Sequence, residues 1–432
     1  MAQRTTLLDD AKLAATLNLS RLALWRLRRK GDLLARLEPG ATLPDPYPLY
    51  ELVREHGTFY DAPFGVKITA SHRVSAKLLR SPALGHHGGP EQPIPGPRGG
   101  EVVHPIHDAF IVMDPPEHTR LRRLVSPAFT PRALQRLRPR IERITEELLE
   151  RTDHRRSFDL VDGFAAPLPI QVICELLGVP MDRREEFAGW GAVVGATIDR
   201  VVSVRQSHQL DRAVRSLNQF FDELIALRRR EPADDLVSQL VTGEEPLSRR
   251  DLLATCQLLF VAGFETTVNL IGNGVMALLA HPGQLDRLRA DPELAANLTE
   301  EVLRFDPPVQ RTGRTVQHEL EVDGTTLRPG TIVLMVLGAA NRDPEVFERP
   351  HEFDIGRANA REHLAFAAGI HYCLGASLAR LEGEIAFRAL AERLPQLEIG
   401  GPVRRRQSQI VRGPLHMPVR RRAAAAAPAS RP

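Results

Sequence analysis

The apolar stretch from Leu252 to Ala280 constrains the fold more than any other segment. A run of this length is sufficient to cross a membrane as one helix. Four polar residues interrupt it: Gln257, Glu265, Asn269 and Asn273. Each would be costly in hydrocarbon unless it were paired. Because the run ends at the helix stop His281-Pro282-Gly283, it predicts a long buried helix over residues 251–280 rather than a membrane span.

The composition indicates a large globular chain with no strong charge bias. Its 432 residues are 43% apolar, enough for a sizeable core. Lys and Arg number 57 against 54 Asp and Glu, a net charge of +3 that does not indicate a nucleic-acid partner. Cys174, Cys256 and Cys373 show no paired spacing, so neither disulfides nor a multi-cysteine metal site is expected. Since no secretion signal is evident in the first thirty residues, we expect a cytoplasmic protein.

The chain divides into three parts. Residues 1–42 are expected to form a basic amphipathic extension, either a helix on the body, which is favoured, or a partner surface. Residues 43–419 are expected to form a single domain, and residues 420–432 a disordered basic tail rich in Ala and Pro. Residues 81–105 are rich in Gly, Pro and His and indicate a mobile loop over a site.

Helical spacing dominates between these loops, and the predicted fold is mainly α with a small β portion. Residues 116–231 read as a stack of helices, and residues 284–304 as two more. Strand patterns occur only later, at 320–322, 332–337 and near residues 397 and 411.

The segment Phe366 to Gly375 carries the strongest chemical signal, directly before a helical run over residues 376–394. A cysteine at the N-terminus of a helix, here Cys373, is favoured as a thiolate by the helix dipole, and a thiolate can bind iron. Gly369 and Gly375 would let the backbone pass close to a flat ligand. Phe366 would shield the sulfur.

This segment resembles the haem-binding loop of the cytochromes P-450, in which a cysteine is the axial iron ligand. The resemblance extends over residues 43–418 and implies the cytochrome P-450 fold, with haem b (iron protoporphyrin IX) bound by Cys373. Ala367 departs from it, because the family often has glycine there. Ala262 to Thr267 resembles the family's oxygen-binding signature, which implies that Glu265 and Thr266 are the catalytic acid and alcohol.

Two further sets of residues match the family. Glu301 and Arg304, completed by Arg357, resemble its structural Glu-x-x-Arg ion network. The four basic residues that match the partners of the haem propionates are His118, Arg122, Arg314 and His371.

The resemblance implies a monooxygenase that inserts one oxygen atom from O₂ into an organic substrate by hydroxylation or epoxidation. We expect a medium-to-large, natural-product-like molecule, in a pocket formed by the 85–110 loop, residues 410–412 and four residues: Leu259, Ala262, Gly263 and Val309. No flavin or nicotinamide fingerprint is evident, so a ferredoxin and a ferredoxin reductase are expected to supply electrons to a monomeric enzyme. Arg120 and Arg123 form either part of the ferredoxin dock or a solvated helix face.

Two alternatives remain open at this stage. The first is a haem-thiolate enzyme that couples radicals or uses peroxide. The second is a haem protein that binds a ligand without turnover. The intact pair of Glu265 and Thr266 argues against both.

Overall fold

The computed structural model describes residues 7–38, 44–86, 102–199, 201–406 and 408–422. Its α-helices are α1 Leu7–Arg29, α2 Leu33–Leu37, α3 Tyr47–Glu55, α4 His72–Arg80, α5 Glu117–Val125, α6 Pro131–Asp153, α7 Pro167–Leu177, α8 Arg184–Gly195, α9 Val204–Arg230, α10 Leu236–Thr242, α11 Arg249–Ala280, α12 Pro282–Ala290, α13 Ala295–Phe305, α14 Leu337–Ala340 and α15 Ala376–Ala391. Its strands are β1 Tyr60–Ala62, β2 Val66–Thr69, β3 Leu84–Gly85, β4 Ser157–Asp159, β5 Thr312–Val316, β6 Leu320–Val322, β7 Thr325–Leu327, β8 Ile332–Met335, β9 Leu397–Ile399, β10 Arg404–Arg405, β11 Pro414–His416 and β12 Pro418–Arg421.

The core is built around α11, the predicted long helix. The Ser248 hydroxyl caps its first turn by accepting a hydrogen bond from the Asp251 N–H. Helices α7, α9, α13 and α15 pack against it. Among the described residues, α11 is the only helix long and apolar enough to cross a membrane, and 83% of its apolar window is buried in the protein. The prediction of a buried helix is therefore confirmed.

The β portion is small, as predicted, and its largest sheet has the strand order β1-β2-β8-β5-β3. Strands β2 and β8 are parallel, whereas the other pairs in this sheet are antiparallel. The expectation that strands occur only from residue 320 onward is wrong, because β1 to β5 precede it. The first four of these strands have two to four residues, too few to show an alternating pattern, and β2 is fixed by pairing with the distant β8.

The ends of the domain differ from the sequence expectation in two places. Leu33 and Leu37 of α2 are buried in one cluster with Tyr47 and Tyr50, so this part of the extension belongs to the core. At the other end, β12 pairs with β4 and β9 and includes Arg420, which was expected to begin the tail. Residues 423–432, and residues 87–101 of the expected mobile loop, lie outside the described residues.

The predicted ion network lies in the interior, and the structure brings its three members together. The Glu301 carboxylate accepts two hydrogen bonds from Arg304, at 2.7 and 2.8 Å, and lies 3.3 Å from Arg357 Nε. Arg304 also donates to the carbonyls of Asn341 and Pro350. The Glu301 and Arg304 side chains are fully buried, so every N–H left unpaired here would carry the full cost of desolvation. The network therefore fastens α13 to the chain that leads to the cysteine segment.

Arg304→Met is expected to lower the free energy of unfolding by about 3–5 kcal/mol, because it leaves the buried Glu301 carboxylate partly uncompensated. Urea unfolding measures the loss. The matched control is Arg349→Met, because Arg349 is 62% exposed and forms a surface pair with Glu352. It is expected to change stability by less than about 1 kcal/mol. Equal losses in the two variants would contradict a structural role for the buried network.

Candidate active site

The cysteine loop is held by its own backbone. The Cys373 N–H donates to the Phe366 carbonyl at 2.9 Å, and Gly375 caps α15. A Cβ at Gly375 would meet no protein atom within 4 Å, which is compatible with a flat ligand at this face. Gly369 has a packing role: its φ is +71°, and a Cβ there would lie 2.3 Å from the Leu79 carbonyl oxygen, so glycine is required for packing on α4. Its approach to a flat ligand stays a prediction.

The ionisation of Cys373 also differs from the expectation. The residue is accessible, yet it lies deep enough that burial raises the pKa of the thiol. The Gly375 N–H and the charges of Arg122 and Arg380 act in the opposite direction but do not prevail. The helix N-terminus alone therefore does not produce a thiolate, whereas a bound metal cation would deprotonate this sulfur.

The Phe366 ring lies beside this loop. The Arg380 guanidinium lies 4.6 Å from its centroid, and the centroid of the Tyr372 ring lies 6.2 Å from it. Arg380 in turn donates to the buried Glu300 carboxylate at 2.7 Å and to the Tyr372 hydroxyl at 2.9 Å. Phe366 is thus fixed next to the cysteine segment, as a shield for the sulfur requires.

The middle of α11 contains one opening. From Leu252 to Val275, all residues are buried except Ala262, Gly263 and Thr266. Ala262 and Thr266 share a face of the helix, since they are four residues apart. The Thr266 hydroxyl donates to the Ala262 carbonyl, four residues earlier in the helix, at 3.1 Å. The accessible face of α11 is therefore the segment that resembles an oxygen-binding signature.

Glu265 lies on another face of α11, and its partner was not predicted. Its carboxylate is 2.7 Å from the Arg406 guanidinium. Burial raises the pKa of Glu265, whereas Arg406 lowers it. A Cβ at Gly195 of α8 would lie 1.5 Å from the Glu265 carboxylate, so glycine is required there. No local pattern distinguishes Arg406, which is far along the chain from Glu265 and one of many arginines.

The structure brings the four predicted propionate partners together. His118 and Arg122 lie on α5, Arg314 on β5 and His371 in the cysteine loop. The His118 and His371 rings are 4.1 Å apart between centroids. Arg122 donates to the Tyr372 carbonyl at 2.6 Å, next to Cys373. The basic cluster and the candidate iron ligand are therefore parts of one site.

His118 is buried, Arg122, Arg314 and His371 are half-buried, and the basic cluster has little compensating negative charge. Burial lowers the pKa of Arg314 to about 10 and that of His371 to about 3. Both ring nitrogens of His118 lack a hydrogen-bond partner among the described residues. Asp114 is the acid that acts on the cluster, and its carboxylate also accepts the N–H of His86, a fifth basic residue that lies 4.8 Å from His371. Donors of this kind fit a ligand that carries carboxylates, as a haem does.

The predicted substrate residues lie on two elements. Leu259 is buried one turn before the accessible Gly263 of α11. Val309 pairs with Val411 in an isolated bridge, so the segments 308–310 and 410–412 run antiparallel. A surface cavity of about 360 Å³ between α6, α7 and α8 includes none of these residues. Contact of these side chains with a substrate stays a prediction.

A mainly helical fold that combines a cysteine loop, a basic cluster and a long buried helix with one accessible face is typical of the haem-thiolate proteins. The sequence profile of the family Cytochrome P450 matches residues 83–297 and 292–394. The putative cytochrome P450 140 of Mycobacterium tuberculosis is 39% identical over 407 residues, which cover 90% of this chain and 92% of that protein. The 6-deoxyerythronolide B hydroxylase of Saccharopolyspora erythraea is 44% identical over 314 residues, or 71% of this chain and 76% of that protein.

Solved structures agree with the sequence relatives. P450BioI, in complex with an acyl carrier protein ligated to hexadec-9Z-enoic acid, superposes with a TM-score of 0.80 at 34% identity, over 88% of this chain and 98% of that one. The chain belongs to the cytochrome P450 family, and it is a haem-binding monooxygenase that needs redox partners.

Ala367→Gly is expected to raise the free energy of unfolding by about 0.5–1 kcal/mol, because Ala367 has a φ of +56° and an L-residue is strained in that region. Ala368→Gly is the control, since the φ of Ala368 is −155°. It is expected to lower stability by about 1 kcal/mol. Urea unfolding of both variants gives the signs, and a loss in Ala367→Gly equal to that in Ala368→Gly would show that the loop is not strained.

Glu382 of α15 is a buried carboxyl group beside Thr267 of α11. Burial raises its pKa from the ordinary 4.5 to about 8. Because the pKa of Glu382 is raised in the folded state, this group's contribution to stability is fully present below about pH 4.5. It is lost as the pH rises to 8. Glu382 thus makes the contact between α15 and α11 sensitive to pH.

Glu382→Gln removes this titration. Its stability relative to the native protein is expected to rise by about 1 kcal/mol per pH unit between pH 5 and 8 and to level off above pH 8. Urea unfolding across this range measures it. Glu384→Gln, a partly exposed position on the same helix, is expected to show no such rise. A pH-independent difference for Glu382→Gln would refute the buried neutral acid.

Proposed function

We propose that this enzyme hydroxylates or epoxidises a medium-to-large, mostly apolar natural-product-like molecule, using haem b held by Cys373. The observation that carries the proposal is that Arg122, a member of the basic cluster, donates to the Tyr372 carbonyl beside Cys373. It supports an iron ligand and partners for two carboxylates within one site. A bound haem supplies the binding and reductive activation of O₂.

The chain's own residues have distinct roles in this proposal. His118, Arg122, Arg314 and His371 bind and orient the carboxylates. Thr266 presents its hydroxyl on the accessible face of α11, where it positions a proton through the bond to Ala262. Gly195 and Arg406 lie against the Glu265 carboxylate and hold it away from bulk water. Glu265 therefore holds a proton beside the accessible face of α11 and does not lie on that face.

The substrate class rests on the pocket residues and on the relatives. Leu259, Ala262, Gly263 and Val309 offer small and apolar surface and no charge. One relative is named as a hydroxylase of 6-deoxyerythronolide B, and a solved relative holds a hexadec-9Z-enoic acid on its carrier protein. Both names support a large, largely apolar substrate.

We further propose a ferredoxin and its reductase as electron donors, and a cytoplasmic location. Arg120 and Arg123 are not free charges that could bind a ferredoxin. Arg120 is paired with Glu117, Glu245 and Asp251, and Arg123 with Glu245, which favours the alternative of a helix face in an ion network. The dock is instead expected around the Cys373 loop.

The proposal is tested with a panel of natural-product-like compounds, screened by the spin-state shift of the haem spectrum. Compounds that bind are then turned over with a surrogate ferredoxin, its reductase and ¹⁸O₂. Incorporation of one ¹⁸O atom into an apolar product of medium or large size is the expected result. Incorporation only from peroxide, coupled products without ¹⁸O, or binding restricted to small hydrophilic compounds would contradict it.

Thr266→Ala is expected to reduce product formed per electron consumed by about 100-fold, because the positioned hydroxyl is lost from the accessible face. Thr267→Ala is the matched control, since Thr267 is the adjacent threonine but is buried and bonds to Gly263. NADPH consumption and product are measured together. Equal coupling in the two variants would exclude the assigned role of Thr266.

A further inference from the structure

Three polar residues follow one face of α11 at intervals of four. At 3.6 residues per turn, Glu265, Asn269 and Asn273 lie within an arc of about 80°. We call this line of side chains the polar seam. The three residues are 4%, 0% and 2% exposed. A helix enclosed in a core normally buries apolar side chains, so the polar seam needs an explanation of its own.

The amides of the polar seam are not satisfied by the protein. Both polar atoms of the Asn269 amide, and Asn273 Oδ1, lack a hydrogen-bond partner among the described residues. The same holds for two nitrogens on the facing segment, Arg405 Nη1 and Arg406 Nε. An orphaned buried atom carries the full cost of desolvation, and five in one place are too many for a marginally stable domain. Buried waters with two or more polar partners satisfy such groups.

Residues that join β10 to β11 cover the polar seam along its length. Arg406 lies 2.7 Å from the Glu265 carboxylate, and a Cβ at Gly413 would lie 2.1 Å from Asn269 Oδ1. At the far end, Asn273 donates to the Arg412 carbonyl at 3.1 Å. The polar atoms of the seam therefore lie between α11 and this segment.

The spacing of the polar seam suits single waters. Four residues of an α-helix rise about 6 Å, which is the length of two hydrogen bonds of about 3 Å in series. One water can therefore join Glu265 to Asn269, and a second can join Asn269 to Asn273. An amide both donates and accepts, as a residue within a chain of waters must. Asn269 is also three residues after Thr266, so it adjoins both the acid and the alcohol.

The outer end of the polar seam lies near solvent. Asn273 Nδ2 donates to the Asp306 carbonyl at 2.9 Å. The Asp306 carboxylate accepts a hydrogen bond from Arg412 at 2.7 Å and lies 3.8 Å from Arg405. The Arg405 side chain is 26% exposed, whereas the seam residues are buried. Asp306 and Arg405 thus mark the place at which solvent can reach the seam.

We propose that a chain of ordered waters runs along the polar seam and delivers protons from the Asp306 end to Glu265. The inference rests on the proposed role of Glu265, and it adds Asn269 as the residue that positions the waters. Insertion of one oxygen atom from O₂ takes up two protons and two electrons and releases the other oxygen atom as water. The electrons come from the redox partners. Each proton enters from solvent, every water accepts one proton and passes one on, and Glu265 receives the last.

A high-resolution crystal structure of the haem-loaded protein tests the waters directly and without turnover. Ordered waters within hydrogen-bond distance of both polar atoms of the Asn269 amide are the expected result. A seam without water, or an Asn269 amide bonded to protein atoms alone, would overturn the proposal. Because this result does not depend on a substrate, it is distinct from a failure of the proposed function, which the ¹⁸O₂ experiment reveals.

The proton route is tested by Asn269→Leu, which keeps the branched shape of the side chain but has no polar atom. Product formed per NADPH consumed is expected to fall at least about 10-fold, since positioned proton transfer contributes about 100-fold or more. The ²H₂O solvent isotope effect on turnover is expected to rise, which a purely structural defect would not cause. Asn269→Ser, whose hydroxyl both donates and accepts, is expected to stay within about two-fold of the native protein.

Thr267→Val is the matched control for Asn269→Leu. Thr267 is a buried polar residue of α11 that bonds to the Gly263 carbonyl and lies beside Glu382 of α15, away from the polar seam. The variant is expected to change neither the coupling nor the isotope effect. Native coupling with a native isotope effect in Asn269→Leu, or an equal loss in Asn269→Ser, would overturn the route. The crystal structure decides the case in which Asn269→Leu does not fold.

Discussion

The burial of α11 on nearly every side is the constraint on which the rest of the structure depends. A helix of 32 residues that is enclosed by other elements has little solvent to satisfy its polar groups, so a polar side chain on it is costly unless it is paired. Asn273 shows this, because its amide donates to the carbonyls of Asp306 and Arg412 and so ties the helix to two distant loops. Between Leu252 and Val275 the accessible residues are Ala262, Gly263 and Thr266, so the middle of the helix can meet a ligand at this face.

The charges around this face are divided between two regions. On one side the basic cluster of buried His118 and half-buried Arg122, Arg314 and His371 has little negative charge near it, and bound carboxylates would offset the cost. On another side Glu265 is buried beside Arg406, where burial raises the pKa of its carboxyl group and Arg406 lowers it. A largely enclosed basic cluster and a buried acid beside the accessible face of α11 separate this interior from an ordinary hydrophobic core.

Much of the fold and the site was predictable because the informative residues occur in short local patterns. The cysteine segment, the Glu301 and Arg304 pair and the α11 signature are each contiguous, and a helix or turn fixes their internal geometry. What was missed depends on contacts between distant segments. Strand β2 needs β8, and Arg406 meets Glu265 only after the chain has folded. The packing of Gly369 against the Leu79 backbone likewise joins segments that are distant in the sequence.

The central claim is that the Cys373 sulfur ligates the haem iron, and the carbon monoxide difference spectrum of the reduced, purified protein tests it most directly. Burial raises the pKa of this thiol, so the thiolate depends on the metal itself and is not a property of the loop alone. The account predicts a peak at the long wavelength characteristic of cytochromes P450, absent from Cys373→His. A spectrum typical of histidine ligation in the fresh native protein, or no bound haem, would contradict it.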